Sequence, residues 1–147
     1  MTIVNVTTDT GFRAIARSRN HVWDADETIE GGGTDTGPTP PEALLGALGS
    51  CMAITAQMYA ARKGWPVEKI EVNLELERYN AAEYAGYVGS AQYVHEISEQ
   101  IIIHGEQLTD EQRTRLIEIT GKCPVRRVLA NPVFFVELNA DKPLDFV

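Results

Sequence analysis

A run of 19 residues without a charged side chain extends from Ala43 to Ala61. About 20 apolar residues suffice to cross a bilayer, so the length of this run permits a transmembrane span. However, Gly46, Gly49 and Gln57 interrupt it, and alanine makes up much of the rest. We therefore predict a helix that is buried on all sides within protein rather than in a membrane.

Signals for the start and the end of a helix flank this run. Thr39 is a candidate N-cap, Pro40 suits the first helical position, and Glu42 stands three residues after Thr39 as in a capping box. Gly64 terminates the helix after Lys63, whose positive charge favours the negative end of the helix dipole. The sequence thus predicts one long helix from Pro40 to about Lys63.

The rest of the chain predicts strands on both sides of this helix. In the clearest one, Ile70–Tyr79, apolar residues at even positions alternate with polar residues at odd positions as far as residue 77. The other predicted elements are two strands between Phe12 and about Ala25 that meet near Arg19–Asn20, a loop at 31–41, a strand at Tyr93–His104, a helix from Thr109 to Gly121, a short helix from Cys123–Pro124 to Leu129 and a strand at Pro132–Leu138. The tyrosine-bearing segment 79–93 is either a long hairpin connection or a lid. This pattern indicates a single α+β domain over residues 1–147.

The charge of the chain limits its partners. A formal net charge of −8 argues against nucleic acid and anionic membranes, because both attract a positive face. The first residues, MTIVNVTTDTGFR, lack a basic segment followed by an apolar one, so we expect no signal peptide. Two cysteines without export signals suit the reducing cytoplasm, where lasting structural disulfides are uncommon. Small neutral or apolar substrates remain compatible with this composition.

Cys51 lies in the middle of the predicted long helix. Leu44, Leu48, Cys51, Thr55 and Met58 recur at spacings of 4, 3, 4 and 3, so the cysteine belongs to one stripe. The neighbouring small residues, which would let another backbone approach closely, are Gly46, Ala47, Gly49, Ser50 and Ala53. From spacing alone, Cys51 fits a small core residue better than a catalyst, because free cysteines are often buried.

Cys123 has different neighbours. It precedes a proline that suits the first position of a helix, and Arg126 and Arg127 follow within one turn. Helix N-termini and nearby cations lower the pKa of a thiol. An ordinary cap whose arginines point to solvent explains the pattern equally well. We expect no metal site, because no C-x-x-C motif is present and the three histidines are scattered.

The chain resembles the osmotically inducible protein C / organic hydroperoxide resistance (OsmC/Ohr) family in two segments, GGGTDTGPTPPEALLGALGSCMAITAQMYAARKGWPVEKIEV and ITGKCPVRRVL. The resemblance extends from about Gly31 to Leu138. It rests on a Pro-x-Glu helix entry, a mid-helix cysteine and a distant Cys-Pro pair. It implies a two-layer α+β fold, with antiparallel sheets packed around the long cysteine-bearing helix. It also implies an intertwined homodimer.

The resemblance assigns the peroxide-reducing role to Cys51 and the resolving role to Cys123. The implied activity is a thiol-dependent peroxidase that reduces organic hydroperoxides through a Cys51 sulfenic acid and a Cys51–Cys123 disulfide. No cofactor is implied, since an external dithiol such as a lipoylated protein recycles the enzyme. Two other functions remain open. A divergent member with little peroxidase activity could bind an apolar molecule in the dimer groove, or both cysteines could be inert core residues.

A buried thiol resists ionisation, so Cys51 needs a nearby cation. Family peroxidases use an arginine of the N-terminal strands, held by the glutamate at the helix entry. The resemblance assigns these roles to Arg13 and Glu42, with Arg17 and Arg19 as alternatives to Arg13. Nine residues of ideal helix rotate Glu42 by about 180° from Cys51, so Glu42 would act through the arginine.

Overall fold

The computed structural model describes residues 2–137. These residues form two compact units, one of residues 2–44 with 133–137 and one of residues 45–132. Antiparallel strands and helices occupy separate stretches of the chain, which confirms the predicted α+β class. The single domain over residues 1–147 stays a prediction.

The first unit contains a three-stranded antiparallel sheet of β1 (Asn5–Thr8), β2 (Ala14–Ser18) and β3 (His21–Ala25), in that order. The turn between β2 and β3 lies at Arg19–Asn20, where Arg19 has a φ of 53°. The two predicted strands are therefore confirmed. The sequence does not predict β1, because its residues NVTT are mostly exposed and show no run of alternating apolar side chains.

Asp26 organises the loop that follows β3. Its buried carboxylate accepts hydrogen bonds from the backbone N–H groups of Glu27, Thr34 and Thr36 and from both threonine hydroxyls. These bonds, that of the Thr34 hydroxyl first, hold the pKa of Asp26 well below its usual range. At Gly33 an added Cβ would lie 2.1 Å from the carbonyl oxygen of Glu27, so the loop requires glycine there.

The long helix α1 spans Pro40–Lys63, as predicted. Glu42 Oε2 accepts both the backbone N–H of Thr39 at 2.7 Å and its hydroxyl at 2.9 Å, so Glu42 caps the first turn. At the other end, Gly64 has a φ of 65°, the left-handed conformation that commonly ends helices. Both predicted helix ends are confirmed.

One face of α1 is uncovered in the single chain. Its buried residues recur at every fourth position and are Leu48, Met52, Ala56 and Ala60. In contrast, Leu44, Ile54 and Met58 are 41%, 58% and 52% exposed. The prediction of a helix buried on all sides is therefore wrong for one chain, and so is the predicted stripe through Leu44 and Met58. The physical reason is that packing within the second unit covers only one row of the helix.

The second unit is built on a hairpin of β4 (Lys69–Asn80) and β5 (Tyr93–His104), which confirms both predicted strands. The antiparallel register places Leu74 directly opposite Glu99, so these two side chains share a face of the hairpin. Residues 81–92 connect the strands. The segment 79–93 is thus the tip of the hairpin, with strand residues at both ends of the connection, and its function as a lid stays a prediction.

Two helices follow the hairpin, α2 (Asp110–Thr120) and α3 (Pro124–Leu129). Thr109 and Gln112 form the predicted capping box of α2, and Gly121 is its C-cap. The largest apolar cluster joins residues of α1, β5 and α2 with the turn before α2. Its buried members are Ala56, Ala60, Ile103, Leu108, Leu116 and Ile119.

The predicted strand Pro132–Leu138 does not form in residues 132–137, and Leu138 lies outside the described residues. Its apolar side chains are open to solvent, with Phe134 86% and Phe135 95% exposed. A strand needs a backbone partner as well as a suitable sequence. Within residues 2–137 no strand pairs with this segment, so the prediction is wrong for residues 132–137.

Candidate active site

The fold of the second unit brings the two cysteines together. Cys51 lies in the middle of α1, and Cys123 is the N-cap of α3, 72 positions later. Cys123 is fully buried against Leu48 and Met52, and Cys51 packs against the same cluster. The Cys51 side chain lies close enough to Cys123 to raise the pKa of its thiol, and both thiols are free. Such proximity is the first requirement for a disulfide.

The two thiols differ in access and in surroundings. Cys51 is half-buried, whereas Cys123 has no exposed surface. Burial raises the pKa of the Cys123 thiol, and the adjacent Cys51 side chain raises it further. The backbone N–H of Arg126, which donates to Cys123 Sγ at 3.3 Å, acts in the opposite direction. The expectation that a helix start lowers the pKa of Cys123 is therefore wrong, because desolvation outweighs the N–H groups.

The guanidinium of Arg126 binds a carboxylate. Its Nη1 donates to both carboxylate oxygens of Glu99 in β5, at 2.5 Å to Oε1. Arg127 donates to the carbonyl oxygen of Lys122 at 3.4 Å. Sequence reasoning missed Glu99, although one signal was available, since Glu99 is an acid in a row of isoleucines at every second position of β5.

Arg13 lies in the other compact unit, directly before β2. Its Nη2 pairs with Asp24 of β3 at 2.7 Å, and this hydrogen bond raises the pKa of Arg13. The Arg13 side chain is half-exposed and lines a cavity of about 270 Å³ within its unit. Of the two alternatives, Arg17 donates to a threonine hydroxyl at 3.4 Å and Arg19 forms the β2–β3 turn.

Glu42 also lies in the first unit, where it is occupied by capping. The two hydrogen bonds from Thr39 lower the pKa of Glu42 and favour its charged form. Among the ion pairs of residues 2–137, Arg13 pairs with Asp24 and not with Glu42. The structure therefore brings Cys51 and Cys123 together but does not pair Arg13 with Glu42. The assembly of all four residues into one site stays a prediction.

Residues 32–137 match the profile of a protein family described as OsmC-like protein. The chain belongs to the OsmC-like family. Solved structures with the same fold include an OsmC-like protein from Mycoplasma pneumoniae, with a TM-score of 0.70, 22% identity and coverage of 88% of this chain and 87% of that chain. No curated protein matches this chain significantly.

Two further structures are described as organic hydroperoxide resistance proteins. The one from Legionella pneumophila has a TM-score of 0.62, 14% identity and coverage of 88% of each chain. The one from Elizabethkingia anophelis has a TM-score of 0.60, 16% identity and coverage of 87% of this chain and 86% of that chain. At these identities the structures establish the OsmC/Ohr fold.

Two further observations concern α1 and metal binding. α1 is long and apolar enough to cross a membrane, but core helices of soluble proteins have the same property. Within residues 2–137, no cluster of His, Cys, Asp and Glu side chains could hold a metal ion.

This OsmC-like chain has a second cavity beside the cysteine cluster, which is the group of buried side chains formed by Leu48, Met52 and Cys123. It measures about 380 Å³ and is lined by Val72 and Leu74 of β4 and by small residues of α1 that include Gly49. Val72 and Leu74 also contact the cluster around Cys123. An added Cβ at Gly49 would lie 3.4 Å from Leu74, so a small side chain at this position keeps helix and strand close. The cavity can accept an apolar group of moderate size.

Proposed function

We propose that this OsmC-like protein is a thiol-dependent peroxidase that reduces organic hydroperoxides to alcohols. The supporting observation is that the partly exposed Cys51 packs against the apolar cluster that contains the buried Cys123 and lies close enough to raise its pKa. A peroxide in solution can reach the first thiol, while the second is protected from direct oxidation. This asymmetry suits a pair in which one sulfur is oxidised and the other resolves it.

The proposed reaction starts when the Cys51 thiolate attacks the terminal oxygen of R–O–O–H. The O–O bond breaks, the alkoxide leaves as an alcohol after it takes a proton, and Cys51 becomes a sulfenic acid. The Cys123 sulfur then attacks the Cys51 sulfur. The S–O bond breaks, and hydroxide leaves as water with the proton from Cys123. An external dithiol finally reduces the Cys51–Cys123 disulfide by exchange.

We assign the activation of Cys51 to Arg13, with Glu42 as a carboxylate that orients it. In support of this, the Arg13 guanidinium is half-exposed and already held in one orientation by Asp24. Replacing Arg13, Arg17 and Arg19 by glutamine, one at a time, tests the assignment. The activating arginine is the one whose loss slows the reaction of Cys51 with peroxide, as followed by mass spectrometry.

The active form is proposed to be a homodimer in the cytoplasm, without nucleic acid or membrane as partner. Support comes from apolar surface that one chain leaves open, at Ile54 and Met58 on α1 and at Phe134 and Phe135. Exposed apolar side chains on either unit are candidates for an interaction surface. Light scattering should show two copies for the wild type and one for Ile54→Asp. A monomeric wild type at micromolar concentration would contradict the proposal.

The experiment that tests the peroxidase uses cumene hydroperoxide with dithiothreitol or dihydrolipoamide as the reductant. The wild type should consume the peroxide, and Cys51→Ser should abolish consumption. After one equivalent of peroxide, the non-reduced wild-type chain should be lighter by two hydrogens. A chain that shows no such loss does not use the two-cysteine mechanism. The physiological reductant is proposed to be a dithiol, such as a lipoylated protein.

The cavity of about 380 Å³ favours a second candidate, a divergent member that binds an apolar small molecule with little turnover. Saturable binding of a fluorescent fatty acid without peroxide consumption would support it. Loss of that binding in Gly49→Leu, which places a large side chain in the cavity, would locate the ligand there.

A further inference from the structure

Glu99 is an acidic side chain on an apolar face of the hairpin. Alternate residues of a strand share a face, so Glu99 lies on the same side as Ile97 and Ile101. The register places Leu74 opposite it. These three apolar residues all pack against the cysteine cluster. The Glu99 side chain is only 18% exposed. A charge at such a place requires a partner, because burial of an unpaired carboxylate is costly.

Arg126 is that partner, and it also contacts the sulfur of Cys123. Its guanidinium donates to both carboxylate oxygens of Glu99, while its backbone N–H donates to Cys123 Sγ at 3.3 Å. A single residue therefore links a carboxylate of β5 to the thiol at the start of α3. Because α3 has only six residues, its own hydrogen bonds give it little rigidity.

We propose that Glu99 is a positioning residue for the resolving step. Through Arg126 it holds the turn Cys123–Arg126 so that the Cys123 sulfur stays close to Cys51. This inference rests on the proposed two-cysteine chemistry. The step served is the condensation of the Cys51 sulfenic acid with the Cys123 thiol, which forms the S–S bond and releases water. The hydroperoxide has already supplied the oxidation, so no further oxidant is needed.

The effect of the ion pair should be local. The Arg126 side chain is 42% exposed, and ion pairs at such sites contribute little to global stability. Their influence on one short turn can nevertheless be large, because the reaction between two sulfurs depends on their effective concentration. Loss of Glu99 should therefore lower the rate of disulfide formation and the equilibrium stability of the disulfide together. If Glu99 only stabilised the fold, its loss would have no selective effect on the rate of disulfide formation or on the stability of the disulfide.

The first test needs no peroxide. Wild type, Glu99→Gln, Arg126→Gln and the control Arg127→Gln are equilibrated with mixtures of oxidised and reduced dithiothreitol. Alkylation and mass spectrometry then give the fraction of disulfide. Glu99→Gln and Arg126→Gln should lower the equilibrium constant for disulfide formation about tenfold, which makes the reduction potential of the protein disulfide about 30 mV less negative. Arg127→Gln removes the same charge from the same helix, and its equilibrium constant for disulfide formation should stay within about twofold of the wild-type value. Equal constants for Glu99→Gln and wild type would overturn the proposal.

The second test separates the two chemical steps. Each protein is mixed with one equivalent of cumene hydroperoxide, and the Cys51 sulfenic acid is trapped with dimedone at increasing times. In Glu99→Gln the sulfenic acid should form at the wild-type rate and persist about tenfold longer, and in a parallel sample with excess peroxide more of it should be oxidised to sulfinic acid. Arg126→Lys keeps the charge on a shorter side chain without the planar guanidinium, so the lifetime of the sulfenic acid should lie between those of the wild type and Glu99→Gln. Slow formation with normal closure would place Glu99 in the activation of Cys51 and refute the proposal.

The two tests also separate this inference from the proposed function. If the wild type forms no sulfenic acid with peroxide, the peroxidase fails, while the dithiothreitol equilibrium still decides the role of Glu99. Circular dichroism establishes that each variant is folded. If Glu99→Gln does not fold, Arg126→Gln and Arg126→Lys decide the question, because Arg126 is partly exposed. Wild-type equilibrium constants in both arginine variants would then contradict the inference.

Discussion

Formation of the Cys51–Cys123 disulfide should stabilise the chain by an amount that follows from their separation. The cross-link joins residues 72 positions apart. The loop-closure relation, ΔS ≈ −2.1 − 1.5R ln n cal/mol/K, gives about 4.4 kcal/mol at 25 °C for a loop of this length. Distortion of the folded chain subtracts from that value. Because the two side chains already lie close together in the reduced chain, we expect little distortion. The expected net gain is about 2–4 kcal/mol.

Urea unfolding measures this gain. Chains of this size lose about 2 kcal/mol of unfolding free energy per molar urea, so the midpoint should rise by about 1–2 M on oxidation. The wild type is compared after treatment with dithiothreitol and after one equivalent of cumene hydroperoxide. Cys123→Ser is treated identically and should show no rise. All samples have one protein concentration, because association between copies changes apparent stability.

One outcome would refute the reasoning behind this prediction. The oxidised wild type could show the loss of two hydrogens while its urea midpoint stays at or below that of the reduced chain. The strain that the disulfide imposes on the folded state would then cost at least as much free energy as loop closure contributes. In that case the arrangement of Cys51 and Cys123 in the reduced chain would differ from the geometry of the bonded pair.

The remaining predictions concern pH and glycine positions. Asp26 has a depressed pKa, so its carboxylate contributes stability that is present above the ordinary pKa of about 3.9 and lost as pH falls below it. The calorimetric difference between wild type and Asp26→Asn should therefore shrink from pH 6 to pH 3. Cys123 has a raised pKa, so its contribution is full below the ordinary thiol pKa of about 8.5 and lost as pH rises above it. The urea midpoint of the reduced wild type should thus fall more steeply from pH 8 to pH 10 than that of Cys123→Ala, and parallel curves would contradict this. Gly33→Ala should lower the melting temperature by several degrees because its Cβ would lie 2.1 Å from Glu27, whereas Gly46→Ala, in open space on α1, should leave it unchanged or raise it.

Local signals in the sequence predicted most of the secondary structure. The ends of α1 follow from Thr39, Pro40 and Gly64, and the alternation after Ile70 gives β4, because caps and alternation act within a few residues. The errors lie where pairing with another segment of the chain determines whether a strand forms. β1 forms by pairing with β2 although its own residues show little strand pattern. Residues 132–137 have the pattern but, within residues 2–137, no strand to pair with.

The candidate site was predicted less completely than the fold. Spacing alone favoured Cys51 as a core residue, and the resemblance to a family supplied the pair with Cys123. The acids that hold the arginines, Asp24 and Glu99, were missed, because ion pairs depend on strand register and on the packing of α3. The direction of the Cys123 pKa shift was also beyond the sequence, since it is set by the balance between burial and N–H donors.

The exposure of α1 changes the explanation of the uncharged run Ala43–Ala61. A helix that is apolar on all sides requires cover on all sides, yet one chain covers only the row that contains Leu48 and Met52. Under the proposed homodimer, the rest of the pattern reflects contact with a second copy. Cys51 lies between Leu48 and Met52 in sequence and is half-buried, so it borders the covered row. Association of two copies would then reduce the exposure of Cys51 to solvent and would favour hydroperoxides with apolar tails. This preference should weaken when dilution separates the copies.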